Sequence, residues 1–151
     1  MQRTSYKRLT LDRQKLLKAA AEAMKNDYNP YSHFYVGAAI LTSKGKIITG
    51  SNVENAAYGS SICAERSALV RMTSEGNQKA VRMAIIGQAG KKAVDMPVTP
   101  CGACRQMIFE AAQFSVVDVE VIMSNTKMDK IIIATISELL PLAFGPNNLK
   151  K

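Results

Sequence analysis

The stretch Tyr35-Val36-Gly37-Ala38-Ala39-Ile40-Leu41-Thr42, Ser43-Lys44-Gly45, Lys46-Ile47-Ile48-Thr49-Gly50-Ser51 reads as two β-rich runs joined by a polar turn. Aliphatic and β-branched residues on both sides of a short Gly-containing loop predict an antiparallel hairpin. Upstream, Thr10 can cap a helix running to about Asn26, with Leu17, Ala20, Ala21 and Met24 at helical spacing. Asn29-Pro30-Tyr31-Ser32 breaks it before the hairpin begins. Downstream, a loop from Asn52 to Ser61 leads into a helix over about Ile62 to Glu75, stopped by Gly76.

Val81 to Gly87 has the apolar continuity of a buried strand, whereas Gln88 to Pro100 shows no periodicity. Pro100 suits the first turn of a helix running to about Gln113. Two further strands, Val116 to Met123 and Lys130 to Ala134, precede a short helix in which Thr135 and Glu138 have capping-box spacing and which Pro141 ends. Helices alternating with five strands predict an α/β fold: a three-layer α/β/α sandwich on a five-stranded mixed sheet that begins with an antiparallel hairpin. A chain of 151 residues suffices for a single domain, 1–151, and is short for two.

Composition excludes several classes. With 47% apolar and 21% charged residues the chain is an ordinary globular one, and no apolar run approaches the roughly 20 residues needed to span a bilayer. The polar, basic start from Met1 to Thr10 has no apolar signal core behind it, so a soluble, cytoplasmic protein is expected. Three cysteines cannot all pair within one chain, which argues against a disulfide scaffold. The net charge of +8 is concentrated in Arg3, Lys7, Arg8, Arg13, Lys15 and Lys18, opposed only by Asp12, and in Lys150 and Lys151. No aromatic residues interleave these cations to stack bases, so a solvated helix face and charged ends are the better reading than a nucleic-acid partner.

The chemistry lies in three thiols and one carboxylate. Cys101 and Cys104 are three apart at a helix start, where free amides and the helix dipole favour a thiolate. Alone, this pair fits a metal site, a redox motif or two buried thiols. Cys63 also falls at the start of a helix, and helix N-termini that follow parallel strands reach the same sheet edge. Three thiolates then converge on one ion and leave a position open, as in catalytic rather than structural zinc sites. His33, the lone histidine, is either a fourth ligand or an exposed loop residue, the second being preferred. Glu65 shares a helix face with Ala68, Leu69 and Met72. A carboxylate on that stripe is either a first-turn residue favoured by the dipole or, the preferred reading, a buried acid/base beside metal-activated water. Arg66 either offsets the excess negative charge of three thiolates on a dication or is a surface arginine.

These residues resemble a known family. Cys63-Ala64-Glu65-Arg66 and Pro100-Cys101-Gly102-Ala103-Cys104-Arg105-Gln106 are similar to the motifs of zinc-dependent cytidine deaminases. So, in order and spacing, are Pro30-Tyr31-Ser32-His33-Phe34, Val36-Gly37-Ala38-Ala39, Asn52-Val53-Glu54-Asn55-Ala56-Ala57-Tyr58 and Glu138-Leu139-Leu140-Pro141. The resemblance covers about residues 10 to 146 and is weakest over Gln88 to Thr99; it does not predict the basic N-terminal segment.

The resemblance implies zinc on Cys63, Cys101 and Cys104, with Glu65 shuttling protons to the ring nitrogen of cytosine and to the departing ammonia. It implies that Asn52 and Glu54 hold the ribose hydroxyls, that Phe34 packs against the pyrimidine and that the Ala64 backbone helps read the base. Short members with three cysteine ligands imply a homotetramer, in which Ala56, Tyr58 and Phe144 reach a neighbour's site. The implied reaction converts cytidine and deoxycytidine to uridine and deoxyuridine within pyrimidine salvage.

Three rivals remain at this level. One is a deaminase of a nucleotide, a nucleoside antibiotic or an RNA base. Nucleic-acid editors of this fold commonly carry histidine as first ligand, where Cys63 stands here, and Glu54 would repel a phosphate. The second is a zinc module that only folds around its metal. The third is nucleic-acid binding through the basic segments.

Overall fold

A computed structural model describes residues 1–76 and 79–149. Its elements in chain order are β1 (Gln2–Thr4), α1 (Leu11–Ala23), β2 (Phe34–Thr42), β3 (Ile47–Ser51), α2 (Ala64–Ser74), β4 (Ala80–Ala89), β5 (Lys92–Ala93), α3 (Gly102–Ser115), β6 (Glu120–Ser124), β7 (Ile131–Thr135) and α4 (Ile136–Leu139). The strands form one mixed sheet in the order β1-β7-β6-β4-β2-β3, with β5 paired to β4. The hairpin forms as the sequence predicts: β2 and β3 pair from Gly37↔Ser51 to Leu41↔Ile47.

Alternation along the strands divides the core between two faces. Ala39, Ala84, Ile86, Ile122, Ile131 and Ile133 pack against Leu16, Leu17 and Ala20 of α1. Their neighbours Ala38, Ile40, Met83, Ile85, Val121, Met123 and Ala134 pack against Ala64, Ala68, Leu69 and Met72 of α2, Ile108 and Ala112 of α3, and Ile136 of α4. This is the three-layer α/β/α sandwich. Two glycines let the helices approach: a Cβ on Gly37 would lie 1.9 Å from the Ala20 carbonyl oxygen, and one on Gly50 would lie 2.4 Å from the Ala68 nitrogen. Helix and sheet backbones are therefore in contact on both faces.

The sheet has seven strands rather than five. β1 lies in the segment read as a basic tail and pairs antiparallel with β7 from Gln2↔Ile133 to Thr4↔Ile131; three residues are too few to show a period. β5 lies in the stretch read as aperiodic and folds back on β4 through Gln88↔Ala93. Thr10 stands at the α1 N-cap, but its hydroxyl bonds the Asp12 carboxylate and caps no amide. The capping box of Thr135 and Glu138 is present.

The cations of the first helix are partly neutralised. Arg13 donates to both Glu120 oxygens, at 3.0 and 2.5 Å, and Arg82 bridges Glu120 and Asp12. Lys150 and Lys151 lie outside the described residues. Among those described, no helix is long and apolar enough to cross a membrane.

Candidate active site

β3 and β4 both run antiparallel to β2, so they point the same way. The helices that follow them, α2 and α3, begin at one edge of the sheet, as the spacing argument requires. Each starts slightly later than the sequence suggests, at Ala64 and at Gly102, which makes Cys63 and Cys101 the N-caps. Both hold extended backbone, and their carbonyls accept the first helical bonds, from the Ser67 amide at 3.0 Å and the Arg105 amide at 2.9 Å. Cys104 lies one turn into α3 and is buried.

The three sulfurs lie within 4.8 Å of one another, with Cys63 Sγ 4.0 Å and Cys104 Sγ 3.5 Å from Cys101 Sγ. Zinc–sulfur bonds in tetrahedral geometry separate sulfurs by about 3.8 Å. The cluster therefore fits zinc in size and donor type. The thiols differ in proton affinity: the Cys104 thiol's hydrogen bond pulls Cys63 down to about 5, and the same bond, with burial, pushes Cys104 up. The Arg66 guanidinium further favours the Cys63 thiolate and donates to the Ser61 carbonyl at 2.7 Å, while its Nε is buried with no partner among the described residues. Arg66 thus stands beside the cluster rather than on open surface. His33 does not join it; that residue is exposed, in a left-handed conformation (φ 53°), and its carbonyl accepts from the Gly90 amide at 2.6 Å.

Glu65, in the first turn of α2, is only 4% exposed. Burial raises its carboxyl above the usual range, and the neighbouring Cys63 adds to the effect. Ala64 is fully buried, and its amide, at the first helical position, has no acceptor within the helix.

Beside the cluster opens a cleft of about 440 Å³ lined by Tyr31, Ser32, Asn52, Glu54, Tyr58 and Cys63 among others. Two residues expected to hold a sugar are thus brought to a cysteine of the cluster. Glu54 accepts from the Tyr31 and Ser32 amides at 2.9 and 3.2 Å; the Ser32 hydroxyl and these amides hold its carboxyl below the usual range. Phe34, half-buried, opens β2, and its carbonyl accepts from Asn52 Nδ2 at 2.9 Å. Ala56 and Tyr58 are exposed, with the Tyr58 ring edge-on to Tyr31 at 6.0 Å. Phe144 does not line this cleft; it is 60% exposed on another face beside Gln106, whose side chain donates to the Phe144 carbonyl.

Two residues behind the cleft escaped the sequence reading. Asp27 accepts the Val36 amide at 2.8 Å, and Asn29, 5% exposed, donates to Asn52 Oδ1 at 3.2 Å. The signal was present as polar residues around Tyr28, but a polar run before proline reads as a turn.

Residues 11–120, more than half of the chain, match the cytidine and deoxycytidylate deaminase zinc-binding region. The cytidine deaminase of Halalkalibacterium halodurans is 45% identical over 139 residues, covering 92% of this chain and 98% of that protein. A probable cytidine deaminase of Dictyostelium discoideum is 42% identical, over 90% of this chain and 86% of its own. The crystal structure of cytidine deaminase from Burkholderia pseudomallei superposes with a TM-score of 0.78 at 38% identity, over 90% of this chain and 100% of that one. With its three thiols gathered at two helix starts, this chain belongs to the zinc-binding cytidine and deoxycytidylate deaminase family.

Proposed function

We propose that this chain hydrolyses cytidine and deoxycytidine to uridine and deoxyuridine with release of ammonia. One observation carries the reading: a buried carboxylate beside three clustered thiols, next to a cleft that presents an amide and a carboxylate. Cys63, Cys101 and Cys104 would hold the zinc, which when bound would lower the pKa of water at the site, while Arg66 would offset the excess thiolate charge. Glu65 takes a proton from the attacking water and passes it to the ring nitrogen as oxygen bonds to the amine-bearing carbon. The same carboxylate then carries the new hydroxyl's proton to the amine as the carbon–nitrogen bond breaks and ammonia leaves. Its raised proton affinity suits both transfers.

The remaining residues bind and orient. Asn52 and Glu54 hold the sugar, Phe34 packs on the pyrimidine, the Ala64 amide reads the base, and Arg66 offsets thiolate charge. The working assembly is a homotetramer in which Ala56, Tyr58 and Phe144 reach a neighbouring copy. Support comes from exposed apolar side chains such as Val70, Phe114 and Phe144, the first two lining a separate cleft between α2 and α3. The chain acts as one domain, 1–151, in cytoplasmic pyrimidine salvage.

A spectrophotometric assay over cytidine, deoxycytidine and their monophosphates, with and without a zinc chelator, tests the function. Chelator-sensitive turnover of both nucleosides is expected; turnover of the monophosphates alone overturns it, because Glu54 would then face a phosphate it repels.

A further inference from the structure

Asn52 is proposed to read the sugar, yet most of its carboxamide is already engaged. Its Nδ2 donates to the Phe34 carbonyl at 2.9 Å; its Oδ1 accepts from the Val36 amide at 2.8 Å and from Asn29 Nδ2 at 3.2 Å. Both lone pairs of Oδ1 and one of the two Nδ2 hydrogens are therefore used. These bonds also fix which end of the amide is nitrogen, since the Phe34 carbonyl can only accept; the Val36 N–H is shared between Asn52 Oδ1 and Asp27 Oδ2. What Asn52 retains for a ligand is a single N–H. Glu54, whose Oε2 takes the Tyr31 and Ser32 amides and whose carboxylate also meets the Ser32 hydroxyl, has four acceptor sites and so retains capacity for a ligand. A lone donor beside an acceptor is the pattern a sugar hydroxyl answers.

Asn29 is the side chain that holds Asn52 from behind. It is buried to 5% exposure, and among the described residues neither its own Oδ1 nor the neighbouring Asp27 Oδ1 has a partner. Buried polar groups with open valences cost stability and persist where they serve a site. The backbone around them is tied to the cleft as well: Tyr28 pairs with Val53, its amide donating to the Asn52 carbonyl at 3.2 Å and its carbonyl accepting the Glu54 amide at 2.8 Å. The segment over 27–29 thus does not line the cleft but braces Asn52 and Glu54, which do.

We propose that Asn29, supported by Asp27, is a positioning residue for sugar recognition: its Nδ2 locks the Asn52 carboxamide so that a donor, not an acceptor, faces the sugar. This rests on the assignment of Asn52 to the sugar. Losing this bond leaves the carboxamide held only by Val36 and Phe34, which loosens it and weakens recognition of hydroxyls without touching the thiols or Glu65.

The test compares cytidine with 2′,3′-dideoxycytidine, which keeps the base and the 5′ hydroxyl and lacks the 2′ and 3′ hydroxyls, in the unmodified enzyme, Asn29→Ala and the isosteric Asn29→Asp. Zinc content is measured on each. The unmodified enzyme should favour cytidine, and both variants should reduce that preference by about tenfold, the weight of one hydrogen bond, through the KM for cytidine more than through kcat. Dideoxycytidine turnover should change much less, with zinc retained. An unchanged preference, or equal loss on both substrates, overturns the proposal. So does zinc-free, unfolded protein from both variants, which would make Asn29 a folding residue. Failure of the functional reading looks different: the unmodified enzyme would then turn over neither substrate, and both ideas fall.

Discussion

At the residue scale, Glu65 and Asp27 are both acids with raised proton affinity, and they call for opposite tests. Glu65 can be neutralised with no change of volume. Glu65→Gln should keep zinc and fold and lose about 10²- to 10⁴-fold in turnover, read by metal analysis and steady-state kinetics together. Near-normal turnover would remove it from the proton path. Asp27 is held near 7 by burial, and the neighbours acting on it, Val36, Asn29, Ser51 and Asn52, are uncharged. Between about pH 4 and 7 the unfolded chain loses this proton while the folded one keeps it, so the site makes the protein less stable as pH rises. Asp27→Asn should accordingly raise the melting temperature at pH 8, with an advantage that shrinks toward pH 4. A gain constant across that range would mean that ionisation is not the cause. The grouping of Cys63, Cys101 and Cys104 and the burial of Glu65 were legible from residue type and spacing, because helix starts and helix faces are local features. Asp27 and Asn29 were not, since their role depends on Val36 and Asn52 arriving from elsewhere in the chain.

At the element scale, the site depends on how closely α2 lies on β3. Gly50 leaves no room for a methyl group: its Cβ would meet the Ala68 nitrogen, the Ala64 carbonyl oxygen and the Ala68 Cα within 3 Å. Those atoms are helix backbone and cannot rotate away. Gly50→Ala should lift the N-terminal end of α2, displacing Cys63 and Glu65 relative to α3. Overpacking of this kind costs about 1–3 kcal/mol. The expected result is a lower melting temperature and substoichiometric zinc, measured by thermal unfolding and metal analysis; full zinc with unchanged stability would show that the helix adjusts freely. The hairpin, α2 and α3 could be read from the sequence because period and breakers agree there. β1 and β5, at three and two residues, are made strands only by the neighbours β7 and β4.

For the whole molecule, the sequence pointed to layers and to two helix starts on one edge, but strand order was beyond it: placing β4 between β2 and β6 is a matter of long-range pairing. The proposed tetramer belongs to this scale. Sedimentation should give about four times the 16.4 kDa chain mass. A monomer that turns over cytidine at full rate would remove Ala56, Tyr58 and Phe144 from any shared site. Cys63 and Cys101 are 38 positions apart, and the chain between them includes α2, β4 and β5. During translation the first ligand leaves the ribosome alone, and the ion has nothing to grip until α3 follows and β4 is seated. Zinc would therefore be a late clasp, closing a loop of chain that contains the finished strand β4, and a product truncated before residue 101 would carry a single stranded thiol and no way to keep the metal.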